Sequence, residues 1–168
     1  MRFNAPIQKA VLILAVALAA PAQAAEKIIA LNGGKVVIRQ EQQWMLEASK
    51  RVVEGDFPAA LALYNQVLAS NGGNIQAYLQ RSFVRRQMQD ENGSQQDATA
   101  AVRLSETALQ RDPDNPKLYY QRGTGWRLLK DFARAREDIR YAIRLSGRSR
   151  ADWETDLKAI ALEEKMSQ

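Results

Sequence analysis

Apolar residues recur at helical spacing from residue 40 onward. Trp44, Ala48 and Val52 lie four residues apart, so they fall on one face of a helix. Gly55 and Asp56 interrupt this pattern, because both residue types favour turns. A second apolar face follows, made by Ala60, Leu61, Tyr64, Val67 and Leu68. The pattern therefore predicts two helices joined by a tight turn.

The stretch from Asp112 to Gly147 alternates small and bulky residues in the same way. Small residues stand where two helices would touch, and bulky residues fill the spaces between them. The small ones are Gly123, Ala135 and Ala142, and the bulky ones are Tyr119, Trp126, Phe132 and Ile139. This pattern resembles the tetratricopeptide repeat, a helix-turn-helix unit of about 34 residues. Arg122 replaces the usual Leu of that repeat, and Gly147 stands where Pro is usual.

The earlier helical segment matches the same repeat at Trp44, Ala48, Gly55, Phe57, Ala60, Tyr64 and Leu68. The resemblance implies an all-α fold, an α-solenoid of about three helical hairpins. We expect the repeats at about 41–74, 75–115 and 116–148. The register also predicts that Gly123 lies where two helices cross, and that Gly125 points elsewhere and tolerates alanine.

The middle repeat is seven residues too long. Counting forward from Ile75 places Tyr78 and Ser82 in the first helix, and counting back from Pro113 places Ala101 and others in the second. Residues 90–96 are rich in Asp, Asn and Gly, which favours an enlarged loop. Seven residues also make about two helical turns, so a lengthened first helix is the alternative.

The two ends of the domain carry distinct patterns. Residues 149–166 place Trp153, Leu157 and Ile160 on one side of a helix. Because a solenoid exposes its last apolar face, we expect this segment to be a capping helix. Residues 25–39 contain two β-branched runs around an Asn-Gly-Gly turn, which predicts either a short N-terminal β-hairpin or an extended arm.

Residues 1–24 have the pattern of a secretory signal. A basic start with Arg2 and Lys9 precedes an apolar run, and small residues before Ala24 offer a cleavage site. The run is too short for a typical membrane span, although an uncleaved anchor is the alternative. We therefore expect a periplasmic or secreted protein of bacterial type, cut near Ala24, with no transmembrane span after cleavage.

Composition limits the catalytic and metal-binding chemistry that the chain could support. The chain has no Cys and no His, and its formal charge of +5 falls to +3 once Arg2 and Lys9 are removed. Without His, the commonest general base and the commonest neutral metal ligand are missing. No phosphate-binding glycine loop, nucleophile motif or metal-ligand cluster occurs. We therefore expect a binding protein with no cofactor and no metal, and not an enzyme.

The resemblance implies a peptide-binding groove along the first helices of the repeats. Its predicted residues are Met45, Ser49, Leu79, Phe83, Arg86, Lys117, Tyr120, Thr124 and Arg127. Arginine and lysine beside an apolar floor suit a peptide with acidic groups. The alternative is that these are ordinary solvated positions of amphipathic helices. Of the residues with which some relatives grip a terminal carboxylate, only Lys117 has a counterpart here.

The third repeat concentrates positive charge. Ten Lys and Arg side chains lie between Lys117 and Arg150, against three acidic ones. Arg136, Arg140 and Arg144 recur every four residues and form a stripe on one helix, which predicts anion binding. The alternative is that acidic residues of the capping helix neutralise the stripe.

Two functions follow as hypotheses. The first is a periplasmic adaptor that binds a peptide segment of another envelope or secreted protein and supports its assembly or positioning. The second is a module that binds an anionic envelope polymer or lipid head groups through the arginine stripe. Nucleic acid is disfavoured as a partner, because the aromatic residues fit core positions better than base-stacking platforms.

Overall fold

The computed structural model of the protein describes residues 27–31, 34–38, 40–147 and 150–167. The predicted signal peptide, residues 1–24, lies outside the described residues. The chain divides into two compact units, Met1–Gln40 and Glu41–Gln168, which are described separately. None of the described helices is long and apolar enough to cross a membrane.

The first unit contains a two-stranded antiparallel hairpin. Strand β1 (Lys27–Leu31) pairs with β2 (Gly34–Ile38), with Lys27 opposite Ile38 and Leu31 opposite Gly34. Only residues 32 and 33 separate the strands, as the Asn-Gly turn signal requires. Of the two N-terminal alternatives, the structure has the hairpin.

Seven helices follow in the described residues, and the predicted all-α fold is confirmed. They are α1 (Gln40–Glu54), α2 (Phe57–Ser70), α3 (Ile75–Gln87), α4 (Glu91–Leu109), α5 (Pro116–Leu128), α6 (Phe132–Ser146) and α7 (Ala151–Met166). Five of them begin at an acidic or amide residue whose side chain accepts a hydrogen bond from a nearby backbone N–H, which satisfies a donor at the helix start. These caps are Asp56, Asn74, Asp90, Asn115 and Asp131.

Apolar side chains form two clusters along the helical unit. The first joins α1, α2 and α3 around Ala48, Tyr64 and Val84. The second joins α5, α6 and α7 around Ile139 and Ile160. Each hairpin thus buries its apolar face partly against the next helix of the array, as stacked repeats do.

The extra residues of the middle repeat fall in α4 and in the loop after it, so both sequence predictions for them are wrong. Helix α3 has an ordinary length and ends at Gln87, and α4 runs for 19 residues against 14 in α2 and 15 in α6. The polar residues expected in a loop form the first turn of α4, because Asp90 caps it. Ser82 Oγ donates to Ser94 O over 2.8 Å. The repeat register counted forward from Ile75 therefore still applies at the start of α4. The surplus therefore lies at the C-terminal end of α4 and in residues 110–115, a longer connection than residues 71–74 of the first repeat.

The surroundings of Gly125 also differ from the sequence prediction. A Cβ atom on Gly123 would lie 2.8 Å from Ile139 Cγ1 and 3.0 Å from Ala135 O, so that glycine is at the predicted crossing of α5 and α6. A Cβ atom on Gly125 would lie 2.7 Å from Val102 Cγ2. Gly125 does not point into free space, because α5 packs against α4 as well as α6.

Arg122, which departs from the repeat pattern, has a partner sixteen residues on. Its Nε and Nη2 donate to the two carboxylate oxygens of buried Asp138 over 2.8 and 2.7 Å. The hydrogen bonds to Asp138 raise the pKa of Arg122. The middle repeat repeats this arrangement, with Arg81 on Asp97 over 2.9 and 2.7 Å. In two successive hairpins, a bidentate ion pair thus replaces apolar packing between the helices.

Candidate functional site

A groove lies between α3, α5 and α7, and it encloses a cavity of about 420 Å³. Six of the nine residues predicted for a peptide-binding groove line it. They are Leu79, Phe83 and Arg86 on α3, and Tyr120, Thr124 and Arg127 on α5. These six residues form the central groove together with the other lining residues, which are Gln76, Gln80, Gln87, Leu128 and Glu163.

The wall on α3 combines an apolar floor with side-chain amides. Leu79 is buried, whereas Phe83 keeps 39% of its surface exposed. Gln76, Gln80 and Gln87 line the same cavity. These residues share a face of α3, because their spacing follows the helical repeat. An amide both donates and accepts hydrogen bonds, so this wall can pair with a polypeptide backbone.

The wall on α5 is tied to the terminal helix. Arg127 donates to Glu163 through Nε and Nη2, over 3.0 and 2.6 Å, and to Asp156 through Nη1 over 3.0 Å. Tyr120 Oη donates to Asp156 Oδ2 over 2.6 Å, and its ring stacks on Trp153 with centroids 4.6 Å apart. The carboxylates of α7 thus already occupy the polar groups of this wall.

These contacts fix the ionisation of the α5 wall. The pKa of Arg127 is raised chiefly by its hydrogen bonds to Glu163, and further by the nearby Asp156. The pKa of Tyr120 is raised by burial first and by Asp156 second. At neutral pH, Tyr120 is therefore uncharged, and Arg127 is a cation held between two carboxylates.

Arg86 has hydrogen-bonding capacity left. Its Nη2 donates to Leu128 O, whereas its Nε is buried without a partner. Its Nη1 has no partner among the described residues, so a ligand carboxylate could accept a charge-assisted hydrogen bond from that nitrogen. Arg86 is thus the cationic side chain of the central groove best placed to take a carboxylate.

Two smaller cavities continue the groove at its ends. One, of about 290 Å³, shares Gln76 and Tyr120 with the central groove and is also lined by Lys117, Arg150 and others. The other, of about 240 Å³, shares Arg86, Arg127 and Glu163 and adds Lys130. The three cavities make one continuous trough along α5.

Three predicted residues lie outside the central groove. Lys117 lines the first end cavity. Met45 packs against the first apolar cluster, and Ser49 Oγ donates to Met45 O over 2.9 Å. The structure therefore does not bring Met45 and Ser49 together with the other seven residues.

The arginine stripe on α6 is partly neutralised. Arg136 pairs with Glu164, whereas Arg140 and Arg144 are exposed. Within the described part of the chain, neither of these two forms an ion pair. The other acidic residues of α7 that could neutralise the stripe pair elsewhere: Asp156 and Glu163 with Arg127, and Asp152 with Arg150.

Sequence reasoning missed Gln76, Gln80, Gln87, Leu128 and Glu163 as lining residues. The glutamines were detectable, because they fall on the helix face that carries Leu79 and Phe83. Glu163 gave no such signal, since its contact with Arg127 joins residues 36 apart through the packing of α7.

Among the described residues, no group of three or more His, Cys, Asp or Glu side chains could hold a metal ion. The polar groups of the trough are amides, hydroxyls, cations and paired carboxylates. This set suits hydrogen bonding and charge recognition of a bound molecule.

Comparisons with known proteins identify the fold. No family model and no curated protein matches the sequence. The first TPR domain of human RPAP3, solved by NMR, is similar with a TM-score of 0.51 and 16% identity, covering 76% of this chain and 97% of that domain. The crystal structure of the Sgt2 TPR domain from Aspergillus fumigatus is similar with a TM-score of 0.51 and 16% identity, covering 76% and 81%.

Proposed function

We propose that this chain, a tetratricopeptide repeat protein by its fold, is an adaptor that binds a peptide segment of another protein in the central groove. The observation that carries the proposal is the convergence of six predicted groove residues on one cavity. The cavity offers an apolar floor at Leu79 and Phe83, amides for a peptide backbone, and Arg86 with a free donor. Polar groups that converge around an apolar patch can fix the orientation of a bound chain.

We place this activity in the periplasm, with an envelope or secreted protein as partner. The signal-like pattern of residues 1–24 supports this location. Fractionation of cells that express the full chain tests it. We expect the soluble periplasmic fraction to contain a product whose mass matches a chain that begins near Ala25. A full-length product in the membrane fraction would contradict the placement.

Site-specific photo-crosslinking tests the groove itself. A photoreactive amino acid replaces Thr124, whose side chain lines the central groove, and in a matched control it replaces Thr99 on the exposed face of α4. We expect a discrete crosslinked partner from position 124 only, and its loss when Phe83→Ala is added. Equal crosslinking from both positions would argue against the groove as the binding site.

Polyanion binding is the second candidate function, and the exposure of Arg140 and Arg144 supports it. Counterion release makes polyanion affinity fall steeply with salt, whereas a partly apolar groove loses less. Dextran sulfate and vesicles with anionic phospholipid serve as probes. Arg140→Gln with Arg144→Gln should weaken their binding more than Arg103→Gln with Arg111→Gln, a control pair from exposed positions on and after α4.

A further inference from the structure

The two ends of the trough carry the same residual charge. At the Arg86 end, three cations (Arg86, Arg127 and Lys130) face Asp156 and Glu163, which leaves one positive charge uncompensated. At the Lys117 end, Arg150 pairs with Asp152 over 3.0 Å, which leaves the charge of Lys117. In the described part of the chain, neither Lys117 nor Lys130 forms an ion pair.

The middle of the trough is neutral. Gln76 and Gln80 carry no charge, Tyr120 stays protonated because its pKa is raised, and Leu79 and Phe83 form the floor. The side chain of Gln80 makes no hydrogen bond within the described residues. A bound chain would therefore meet a cation at each end and an apolar surface with a free amide between them.

The distance between the two charged ends follows from helix geometry. Arg86 borders the same two cavities as Arg127, so it lies at the level of Arg127 along α5. Arg127 is ten residues from Lys117, which corresponds to about 15 Å along the helix axis. An extended peptide covers about 13 Å of this distance in four residue steps of about 3.3 Å, and residues four apart point to the same side of the chain.

We propose that the trough selects an extended peptide segment of about six residues with one carboxylate near each end, held by Arg86 and by Lys117, and an apolar side chain between them. This inference rests on the proposed function and specifies its ligand. Arg127 is not an anchor, because Asp156 and Glu163 already satisfy its donors. Arg86 takes the carboxylate through Nη1, which has no partner among the described residues and can make a charge-assisted hydrogen bond.

Synthetic acetylated and amidated hexapeptides test the spacing. One carries Glu at its first and fifth positions and Leu at the third, so that all three side chains point to the same side of an extended chain, and a second of the same composition carries its two Glu residues side by side. Fluorescence anisotropy with the chain lacking residues 1–24 measures both. We expect the spaced peptide to bind at least tenfold more tightly, because only it can place a carboxylate at each of the two cations at once.

Single substitutions test whether Arg86 and Lys117 hold the two carboxylates. Arg86→Gln and Lys117→Gln should each reduce the affinity for the spaced peptide about tenfold, whereas Arg103→Gln on the exposed face of α4 should leave it unchanged. If both hexapeptides bind equally and Phe83→Ala abolishes their binding, the groove is the site and the spacing inference is wrong. If neither hexapeptide binds, the inference is overturned, and crosslinking at position 124 then decides separately whether the proposed function stands.

Discussion

Gly123 and Gly125 lie two residues apart on α5 but face different helices. We expect Gly123→Ala to lower the free energy of unfolding by about 2 kcal/mol, because the added carbon meets the backbone oxygen of Ala135. Gly125→Ala should cost about 1 kcal/mol, since the clash with Val102 outweighs the gain in helix propensity. Urea denaturation measures both.

A second substitution checks the cause of the Gly125 effect. Val102→Ala removes the side chain that the new carbon would meet, so Gly125→Ala should cost much less in a Val102→Ala background than in the wild type. Equal costs in both backgrounds would mean that Val102 is not the neighbour that requires a glycine at position 125.

The Arg122–Asp138 pair gives a second prediction for single residues. Asp138→Ala leaves a half-buried guanidinium without its carboxylate, so it should cost about 2 to 3 kcal/mol. Replacing both partners, by Arg122→Leu with Asp138→Leu, should recover most of this loss, because apolar residues of similar volume replace buried ion pairs well. If the double variant is as unstable as Asp138→Ala, the repeat does not tolerate apolar packing at this place.

At the scale of elements, the turn between the two helices of each repeat has one fixed backbone conformation. Gly55, Gln89 and Lys130 stand at equivalent places with φ of 77°, 64° and 64°. This left-handed region favours glycine, and other residues there are strained. Gln89→Gly should therefore stabilise the protein by about 0.5 to 1 kcal/mol, and Gly55→Ala should destabilise it by about 1 kcal/mol. Thermal denaturation tests both signs.

The cap of α6 gives a pH-dependent prediction. The backbone N–H and guanidinium of Arg134 donate to Asp131, and these bonds lower the pKa of the Asp131 carboxyl below its ordinary 3.8. Its stabilisation is therefore present above about pH 3.8 and lost as the pH falls through the folded-state pKa. Asp131→Ala should cost about 1 kcal/mol at pH 7 and progressively less in acid.

Asp131→Asn is the control for this pH dependence. Asparagine keeps a cap acceptor but cannot ionise, so its cost at pH 7 should be smaller than that of Asp131→Ala, and both costs should fall in parallel in acid because only the wild type titrates at this position. Urea midpoints between pH 7 and pH 2.5 measure both variants. A constant difference between Asp131→Ala and the wild type over this range would contradict the proposed charge contribution of the cap.

The sequence predicted the helical hairpins because small and bulky residues fix where helices touch. Ala48, Gly123 and Ala135 identified these places, and the structure buries all three. It misplaced the surplus of the middle repeat because counting back from Pro113 assumes a second helix of standard length. Asp90 could have corrected this, since an aspartate followed by an acidic residue such as Glu91 is also a helix-start signal.

At the scale of the whole molecule, the terminal helix both covers the last repeat and competes for the groove. Asp156 and Glu163 occupy Arg127, as an acidic ligand would. Asp156→Asn with Glu163→Gln should therefore raise the affinity for a diacidic hexapeptide severalfold and lower the stability of the free chain. Glu91→Gln with Glu137→Gln, on exposed positions of α4 and α6, is the matched control. An unchanged affinity would mean that α7 does not compete for Arg127.

The candidate site was predictable only in part, because some of its residues follow from the repeat register and others from the packing of α7. Leu79, Phe83 and Thr124 follow from the repeat register, because each repeat turns the same face of its first helix to the groove. The pairing of Arg127 depends on how α7 packs, and helix periodicity does not determine contacts between residues that far apart. Met45 and Ser49 lie on α1, outside the trough, which begins at α3.

The most direct test of peptide binding in the central groove is NMR titration of the isotope-labelled chain lacking residues 1–24. The probe is the hexapeptide with separated glutamates. The account predicts that amide shifts concentrate on α3 and α5, at Gln76, Gln80, Phe83 and Thr124, with the outer face of α4 unchanged. Shifts concentrated at Arg140 and Arg144, or shifts absent from α3, would contradict it.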